Sequence, residues 1–162
     1  MQANIQTDDM DARIISALGA DGRRSYADVG AEVGLSTAAV HERVKKLLDK
    51  GVIRRFSISV DPELVGLNFT AFVAIRNDGG AHCRDIAPRL RAIPQVEELH
   101  SVAGEHDFLA KIRTTHARGL EDVLYQIKAI PGVARTTSTV VLNTEFEDRP
   151  LDLGWVNADK GG

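Results

Sequence analysis

An α+β chain in two domains, three short helices followed by a βαββαβ unit, is what three features of these 162 residues predict. The first fifty residues carry three apolar stripes at helical spacing, separated by glycine-containing breaks. Farther on, period-2 segments alternate with helical ones, the order of a sheet covered by helices on one face. Finally, Ala92-Ile93-Pro94-Gln95-Val96 returns as Ala129-Ile130-Pro131-Gly132-Val133, so the second half contains an internal repeat. A length of 162 residues fits one domain or two small ones, since domains commonly run from ~100 to ~200 residues. The composition, 43% hydrophobic and 27% charged, is that of a folded chain and not of a disordered one.

The first helix is marked by Met10, Ile14, Ile15 and Leu18, with N-cap candidates at Thr7–Asp9 and an end before Asp21-Gly22. Ser25 with Asp28 resembles a capping box in which the shorter acid replaces glutamate, and it opens a second helix burying Val29 and Val33. Gly34-Leu35-Ser36 breaks that helix: the glycine takes positive φ, the leucine plugs the core and the serine caps the third helix. Val40, Val44, Leu47 and Leu48 form the stripe of that helix, which stops at Lys50-Gly51 with a basic residue and a C′ glycine. Two helices joined by such a turn are a helix-turn-helix. Phe56, Ile58 and Val60 then alternate with small polar residues, which predicts a strand serving as a wing that carries Arg54 and Arg55. Together these make residues 1–60 a winged helix-turn-helix domain, with 61–68 as a linker.

Residues 69–148 form the second domain, a ferredoxin-like βαββαβ unit. Phe69–Ile75 is rich in β-formers; a loop at Asn77-Asp78-Gly79-Gly80 leads to a helix with Ile86, Leu90 and Ile93. Pro88 places that helix either late, with the proline in its first turn, or kinked. Phe108–Arg113 supplies the third strand, and Leu120, Val123, Leu124, Ile127 and Ile130 the second helix. Val133–Phe146 reads as the last strand, with Val140, Leu142 and Phe146 on one face. Both faces of Phe69–Ile75 hold apolar groups, so a second copy of the sheet is expected to cover the open face, giving a homodimer. Residues 149–162, with Trp155, form a polar tail. The single cysteine, Cys83, excludes an intramolecular disulfide and suits a reducing, cytoplasmic compartment. Neither a signal peptide nor an apolar stretch long enough to span a membrane is visible.

A net charge of -3 argues against nucleic acid when taken as a total, yet charge is unevenly placed. Between 23 and 55, Arg23, Arg24, Arg43, Lys45, Lys46, Lys50, Arg54 and Arg55 face only Asp28, Glu32, Glu42 and Asp49. Local sign governs the steering of a charged partner. The face of the third helix opposite its stripe offers Thr37, Ala38, His41, Glu42 and Lys45. Thr37 and His41 suit hydrogen bonds to base edges and Ala38 a thymine methyl. Arg23, Arg24, Lys46, Arg54 and Arg55 suit phosphates, and Ser25, Ser36 and Arg43 complete the candidate DNA-binding set. For any one of these residues, a solvated surface side chain is the simpler explanation; as a set they point to duplex DNA.

The hairpin Ser101-Val102-Ala103-Gly104-Glu105-His106-Asp107-Phe108 is the most chemically loaded stretch. Gly104 permits a turn whose amides point outward and hold a carboxylate, and Asp107 accepts from an ammonium. Both halves together suit a free α-amino acid, although Gly, Asp and Glu at a hairpin tip usually only make the turn. Thr137 and Thr139 emerge on one face of the last strand. Cys83 beside His82 lacks the partners of a zinc site, and an incidental thiol is the simpler reading; no metal and no resident cofactor is expected. His100 and His116 stand isolated.

Leu35-Ser36-x-x-x-Val40-x-x-Arg43-Val44-x-x-Leu47-x-x-x-Gly51-Val52-Ile53 resembles the signature of the Lrp/AsnC, or feast/famine, transcriptional regulators. The likeness continues through Asp61-Pro62, Val65-Gly66, Val102–Phe108 and Arg135–Thr139, and covers roughly residues 8–148. It implies a winged helix-turn-helix joined to a ligand-binding, oligomerising domain called RAM. It implies dimers that assemble to tetramers or octamers, and an amino-acid effector. By that likeness Val102, Gly104, Glu105, His106 and Asp107 form the effector loop, and Thr137 and Thr139 of a neighbouring subunit close the pocket. Other members often carry tyrosine or phenylalanine where this chain has His106, which bears on effector identity and lends pH sensitivity. Two other functions compete: an effector-independent architectural protein that organises DNA, and an enzyme akin to the porphyrin-pathway decarboxylases of similar two-domain build. No paired carboxylates, nucleophile with base or phosphate loop supports catalysis.

Overall fold

The computed structural model describes residues 7–80, 82–151 and 153; Trp155 and most of the predicted tail lie outside them. Val60–Glu145 forms one compact unit, and the described residues through Ser59 together with those from Phe146 onward form another.

In the first unit, α1 (Asp9–Ala20), α2 (Tyr26–Val33) and α3 (Thr37–Asp49) enclose a core of Ile14, Ala17, Leu18, Val29, Val33, Val40 and Val44. Each helix begins where a side chain satisfies an otherwise unpaired amide. Asp8 accepts from the Asp11 N–H, Ser25 from Asp28 and Ser36 from Ala39. α3 ends in a Schellman arrangement: Gly51 N–H donates to Leu48 and Val52 N–H to Leu47. Gly34 terminates α2 with φ 80°, the left-handed value its place in the turn demands. Gly30 meets a different demand. An added Cβ there falls 2.5 Å from the Leu35 carbonyl oxygen, so only glycine lets the α2–α3 turn approach α2 so closely.

The wing departs from expectation. Among the described residues, 52–60 forms no strand, and Ile58 is 83% exposed. Alternation marks a segment that fits a sheet, but a strand exists only where a ladder partner supplies its hydrogen bonds.

The second unit contains β1 (Phe69–Asn77), α4 (Cys83–Arg91), β2 (Val96–Ser101), β3 (Phe108–Thr114), α5 (Ala117–Lys128) and β4 (Val133–Val140). The strands pair antiparallel in the order β2-β3-β1-β4, the ferredoxin-like arrangement. Ala71, Val73, Ile75, Phe108, Ala110 and Ile112 face Ile86, Leu90, Leu120, Val123 and Ile127 of the two helices. The sequence repeat is a repeat of structure. Ala92 and Ala129 both cap helices, Ile93 and Ile130 are both buried, and Val96 and Val133 donate back to those isoleucines. Pro88 is the sixth residue of α4, inside the helix and not in its first turn. It leaves the Arg84 carbonyl without its helical donor.

Two further expectations are corrected. β4 ends at Val140, because β1 begins at Phe69 and little ladder remains beyond the Ala71–Val140 pair; Leu142 is 98% exposed and Phe146 is exposed too. The open sheet face is also less apolar than expected. Phe72, Ala74 and Leu109 lie on it, but so do Lys111 and Arg113, both buried by their neighbours. Lys111 Nζ stands 3.3 Å from carboxylate oxygens of both Glu97 and Glu98, and Arg113 Nε donates to Glu97 at 3.1 Å. A register shift between Val96 and Glu98 accompanies this double acidic contact. Burial raises the Glu98 carboxyl, but hydrogen bonds from His100 and Lys111 outweigh it and leave the group below its ordinary value.

Candidate functional site

On α3, Thr37, Ala38, His41 and Lys45 are all exposed, and their spacing puts them on one helical face away from Val40, Val44 and Leu47. The His41 ring meets Tyr26 edge-on at 5.9 Å between centroids, and its Nδ1 lies 3.7 Å from Glu42. The ring is thus held against α2 with part of its edge in solvent. Arg23, Lys46, Arg54 and Arg55 are exposed, and among the described residues none of them forms an ion pair. Arg54 and Arg55, with Ile15, Leu18, Gly19 and Phe56, line a cavity of about 620 Å³ between α1 and the 52–57 segment.

The remaining candidates on this unit have other partners. Ser25 and Ser36 use their hydroxyls as helix caps, and Ser25 Oγ also donates to Asp28 at 2.6 Å. Arg24 pairs with Glu32. Arg43 Nη1 donates to Asp11 Oδ1 at 2.6 Å and to Asp8 Oδ2 at 2.8 Å. The Arg43 guanidinium holds the Asp8 carboxyl below its ordinary value, aided by the Asp11 N–H, while both acids raise the arginine.

In the second unit, a concavity of about 410 Å³ is lined by Arg76, Asn77, Gly79, His82, Cys83, Gly104, Glu105 and Asp107. Its centre is built on a sheet irregularity. The β1–β4 register shifts at Arg76/Asn77, and there the Asn77 N–H donates to Asp107 Oδ2 at 2.8 Å. The Asp107 N–H in turn donates to the Ile75 carbonyl at 2.9 Å, so this residue ties the β2–β3 hairpin to the end of β1 through backbone and side chain together. Asn77 Nδ2 donates to Cys83 Sγ at 3.1 Å, and the Cys83 thiol points to Asp107 Oδ1 at 4.0 Å. Among the described residues, the Asn77 Oδ1 and His106 Nδ1 atoms are buried without a hydrogen-bond partner. Gly104 adopts φ 135°, as the turn requires.

Of the expected effector residues, Gly104, Glu105 and Asp107 line this concavity; Val102 and His106 are in the hairpin but not among its lining. Thr137 and Thr139 pair with Ala74 and Phe72 on the open sheet face and do not line it. Arg76, Asn77, His82 and Cys83 are additions that the sequence does not predict. His82 and Cys83 stand adjacent in the chain as a polar pair, but nothing local links them to a hairpin more than twenty residues on. Among the described residues, no three His, Cys, Asp or Glu side chains gather as a metal-ligand set, and no helix is long and apolar enough to cross a membrane.

Residues 8–48 match the model of the AsnC-type helix-turn-helix domain, and 70–151 that of the Lrp/AsnC ligand binding domain. The HTH-type transcriptional regulator LrpA of Mycobacterium tuberculosis is 40% identical over 146 residues, covering 90% of this chain and 97% of that protein. The regulator FL11 of Pyrococcus horikoshii is 32% identical, covering 92% and 98%. Among solved structures, the M. tuberculosis feast or famine regulatory protein complexed with L-methionine superposes with a TM-score of 0.83, at 40% identity, covering 88% of this chain and 96% of that one. A Neisseria meningitidis transcriptional regulator complexed with L-methionine gives 0.86 at 27% identity, covering 93% and 99%. With a DNA-binding helix-turn-helix and relatives that are regulators throughout their length, the chain is not an enzyme: it belongs to the Lrp/AsnC family of HTH-type transcriptional regulators.

Proposed function

We propose that this regulator reads duplex DNA with the Thr37, Ala38, His41 and Lys45 face of α3, and that a small amino acid bound at the Asp107 concavity adjusts its DNA binding or assembly. The observation that carries the second half is the meeting of complementary groups in one concavity. Asp107 accepts from an ammonium, while Arg76 and the amides of the turn at Gly104 suit a carboxylate. A volume of about 410 Å³ is of the size small-molecule sites have. Two structural neighbours are complexes with L-methionine, which makes that amino acid the first probe.

The DNA reading rests on exposure and charge. Lys46, Arg23, Arg54 and Arg55 flank the recognition face as phosphate contacts, while Ser25 and Ser36 act by setting helix starts. The assembly is a homodimer, with tetramers or octamers built from it. Exposed Phe56, Ile58 and Val60, on a segment that forms no strand among the described residues, and Phe72 with Leu109 on the open sheet face, are surfaces a second copy would cover. Thr137 and Thr139 then close the effector site of a neighbouring subunit. A DNA partner and an exposed free thiol both fit the cytoplasm.

Titration calorimetry of the full chain against L-methionine and the other standard amino acids tests the effector site. Anisotropy with a duplex selected from a random-sequence pool, with and without the tightest binder, tests the coupling. Saturable binding of at least one amino acid that shifts duplex affinity or oligomer size supports the reading. No response to any of them would leave an architectural DNA-binding protein in its place.

A further inference from the structure

Arg43 leaves α3 on the wrong side for DNA. At 3.6 residues per turn its side chain projects roughly 180° from the centre of the Thr37, Ala38, His41 and Lys45 face. On that far side one nitrogen, Nη1, donates to two carboxylates, Asp11 Oδ1 at 2.6 Å and Asp8 Oδ2 at 2.8 Å. Both acids belong to the start of α1, and Asp8 is also its N-cap, accepting from the Asp11 N–H at 2.7 Å through Oδ1. The side chains are 33% exposed for Arg43 and 18% for Asp11, so the Asp11 arm is only partly screened by water. Close beneath it, Ile14 of α1 and Val40 and Val44 of α3 share the core.

We infer that Arg43, Asp8 and Asp11 form a positioning clamp: the guanidinium fixes the recognition helix against α1 and neutralises no DNA phosphate. Packing of Ile14 against Val40 and Val44 leaves sliding and rotation of α3 inexpensive, since apolar contacts are non-directional. Charge-assisted hydrogen bonds to two acids at the end of a capped helix are directional, and they set where Thr37 and His41 arrive. The inference rests on the proposed DNA face, but it makes a separate prediction of sign.

The experiment measures affinity of the full chain for the tightest duplex recovered from a random-sequence pool, over a series of KCl concentrations. If Arg43 contacts a phosphate, Asp11→Asn removes a nearby repulsion, frees the arginine and raises affinity. If Arg43 is a clamp, Asp11→Asn removes one arm and lowers affinity, by about threefold to tenfold for one lost charge-assisted bond in a partly screened setting. Arg43→Met is then expected to lower affinity by a similar factor with an unchanged salt slope, and the double variant to be no weaker than Arg43→Met alone. A gain or no change with Asp11→Asn, or a slope reduced by about 0.9 with Arg43→Met, overturns the clamp. Circular dichroism at the assay temperature checks folding. Where a variant unfolds, Asp8→Asn, whose carboxylate is the more exposed, is read by the same sign. Failure of the DNA face itself is read separately, as Lys45→Glu leaving duplex affinity intact.

Discussion

Replacing Gly30 by alanine sets two opposed effects against each other inside one helix. Alanine is the better helix former, by roughly 0.8–1 kcal/mol. Its methyl, however, would stand 2.5 Å from the Leu35 carbonyl oxygen, with the Leu35 and Ser36 carbonyl carbons at 3.4 and 3.5 Å. All three are backbone atoms of the turn that delivers α3, so relief requires the turn to move. That turn is also pinned, because Gly34 and Leu35 both donate to the Gly30 carbonyl at 2.8 Å. Overpacking of this kind costs about 1–3 kcal/mol, occasionally more. A backbone contact this short belongs in the upper half of that range, at about 2–3 kcal/mol, so the clash outweighs the propensity gain and a net loss of about 1–2 kcal/mol is expected, or roughly 4–8 °C in melting temperature per kcal/mol for a unit of this size. Hydrogen exchange at the amides of α2 and α3 isolates this unit from Val60–Glu145. Ala31→Gly, exposed on the same helix, serves as the reference, losing only the propensity. If Gly30→Ala protects those amides as well as the parent does, the close approach is not holding the turn and the reasoning is wrong.

Asp107→Asn keeps an acceptor for the Asn77 N–H but loses the negative charge, so the hairpin should stay folded while calorimetric affinity for L-methionine falls at least tenfold; equal affinity would remove Asp107 from the site. The Asp8 carboxyl, held low by Arg43, contributes stability that is complete above the unfolded value near ~3.9 and disappears as pH drops through the folded value. Asp8→Asn should therefore be less stable than the parent at pH ~6, with the gap closing below pH ~4; a gap that widens in acid contradicts the clamp. Because Cys83 lines the concavity, a saturating amino acid should slow its alkylation by iodoacetamide several-fold, and an unprotected thiol would place the ligand elsewhere. Finally, five of the seven cations in the candidate DNA-binding set remain once Arg24 and Arg43 are set aside, so even if all five meet phosphates the salt slope of duplex binding should not exceed about 4.5 per subunit engaged.

What the amino-acid order discloses and what it hides divides along sequence separation. Asp8, Ser25 and Ser36 are legible as caps because each acts on an amide three residues ahead. The Ala-Ile-Pro repeat is legible because both copies end a helix and start a strand within five residues. The length of β4 is not, because it is set by where β1 begins, some seventy residues earlier. Nor is the wing, whose alternation is present but which has no ladder partner among the described residues. Arg43 illustrates the limit best. Its position inside a family signature and a basic segment suggests DNA, while its actual partners lie 32 and 35 residues away. The candidate ligand site shows the same division: the hairpin half is readable from Gly104 and Asp107, but Arg76, Asn77 and Cys83 arrive from the β1–α4 loop and its borders.

Charge totals hide the same distinction between groups that reach outward and groups that hold the protein together. Arg24 and Arg43 are spent inside the first unit, on Glu32 and on Asp8 and Asp11; Lys111 and Arg113 are held on the sheet by Glu97 and Glu98. An arginine so bonded stays charged but presents little field, because its counter-charge lies within hydrogen-bond distance and the pair approaches neutrality at the distance of a phosphate. Over residues 23–55 the outward potential of the helix-turn-helix therefore comes from Arg23, Lys45, Lys46, Lys50, Arg54 and Arg55, while Arg43 cancels one of the two negative charges of Asp8 and Asp11. A net charge of -3 is compatible with DNA binding for that reason. So few free cations per chain give a weak grip on phosphate; in the proposed assembly, several subunits on one duplex would raise affinity, because each added contact is effectively intramolecular. In such a protein a ligand that changes assembly changes DNA affinity without touching the DNA-binding face.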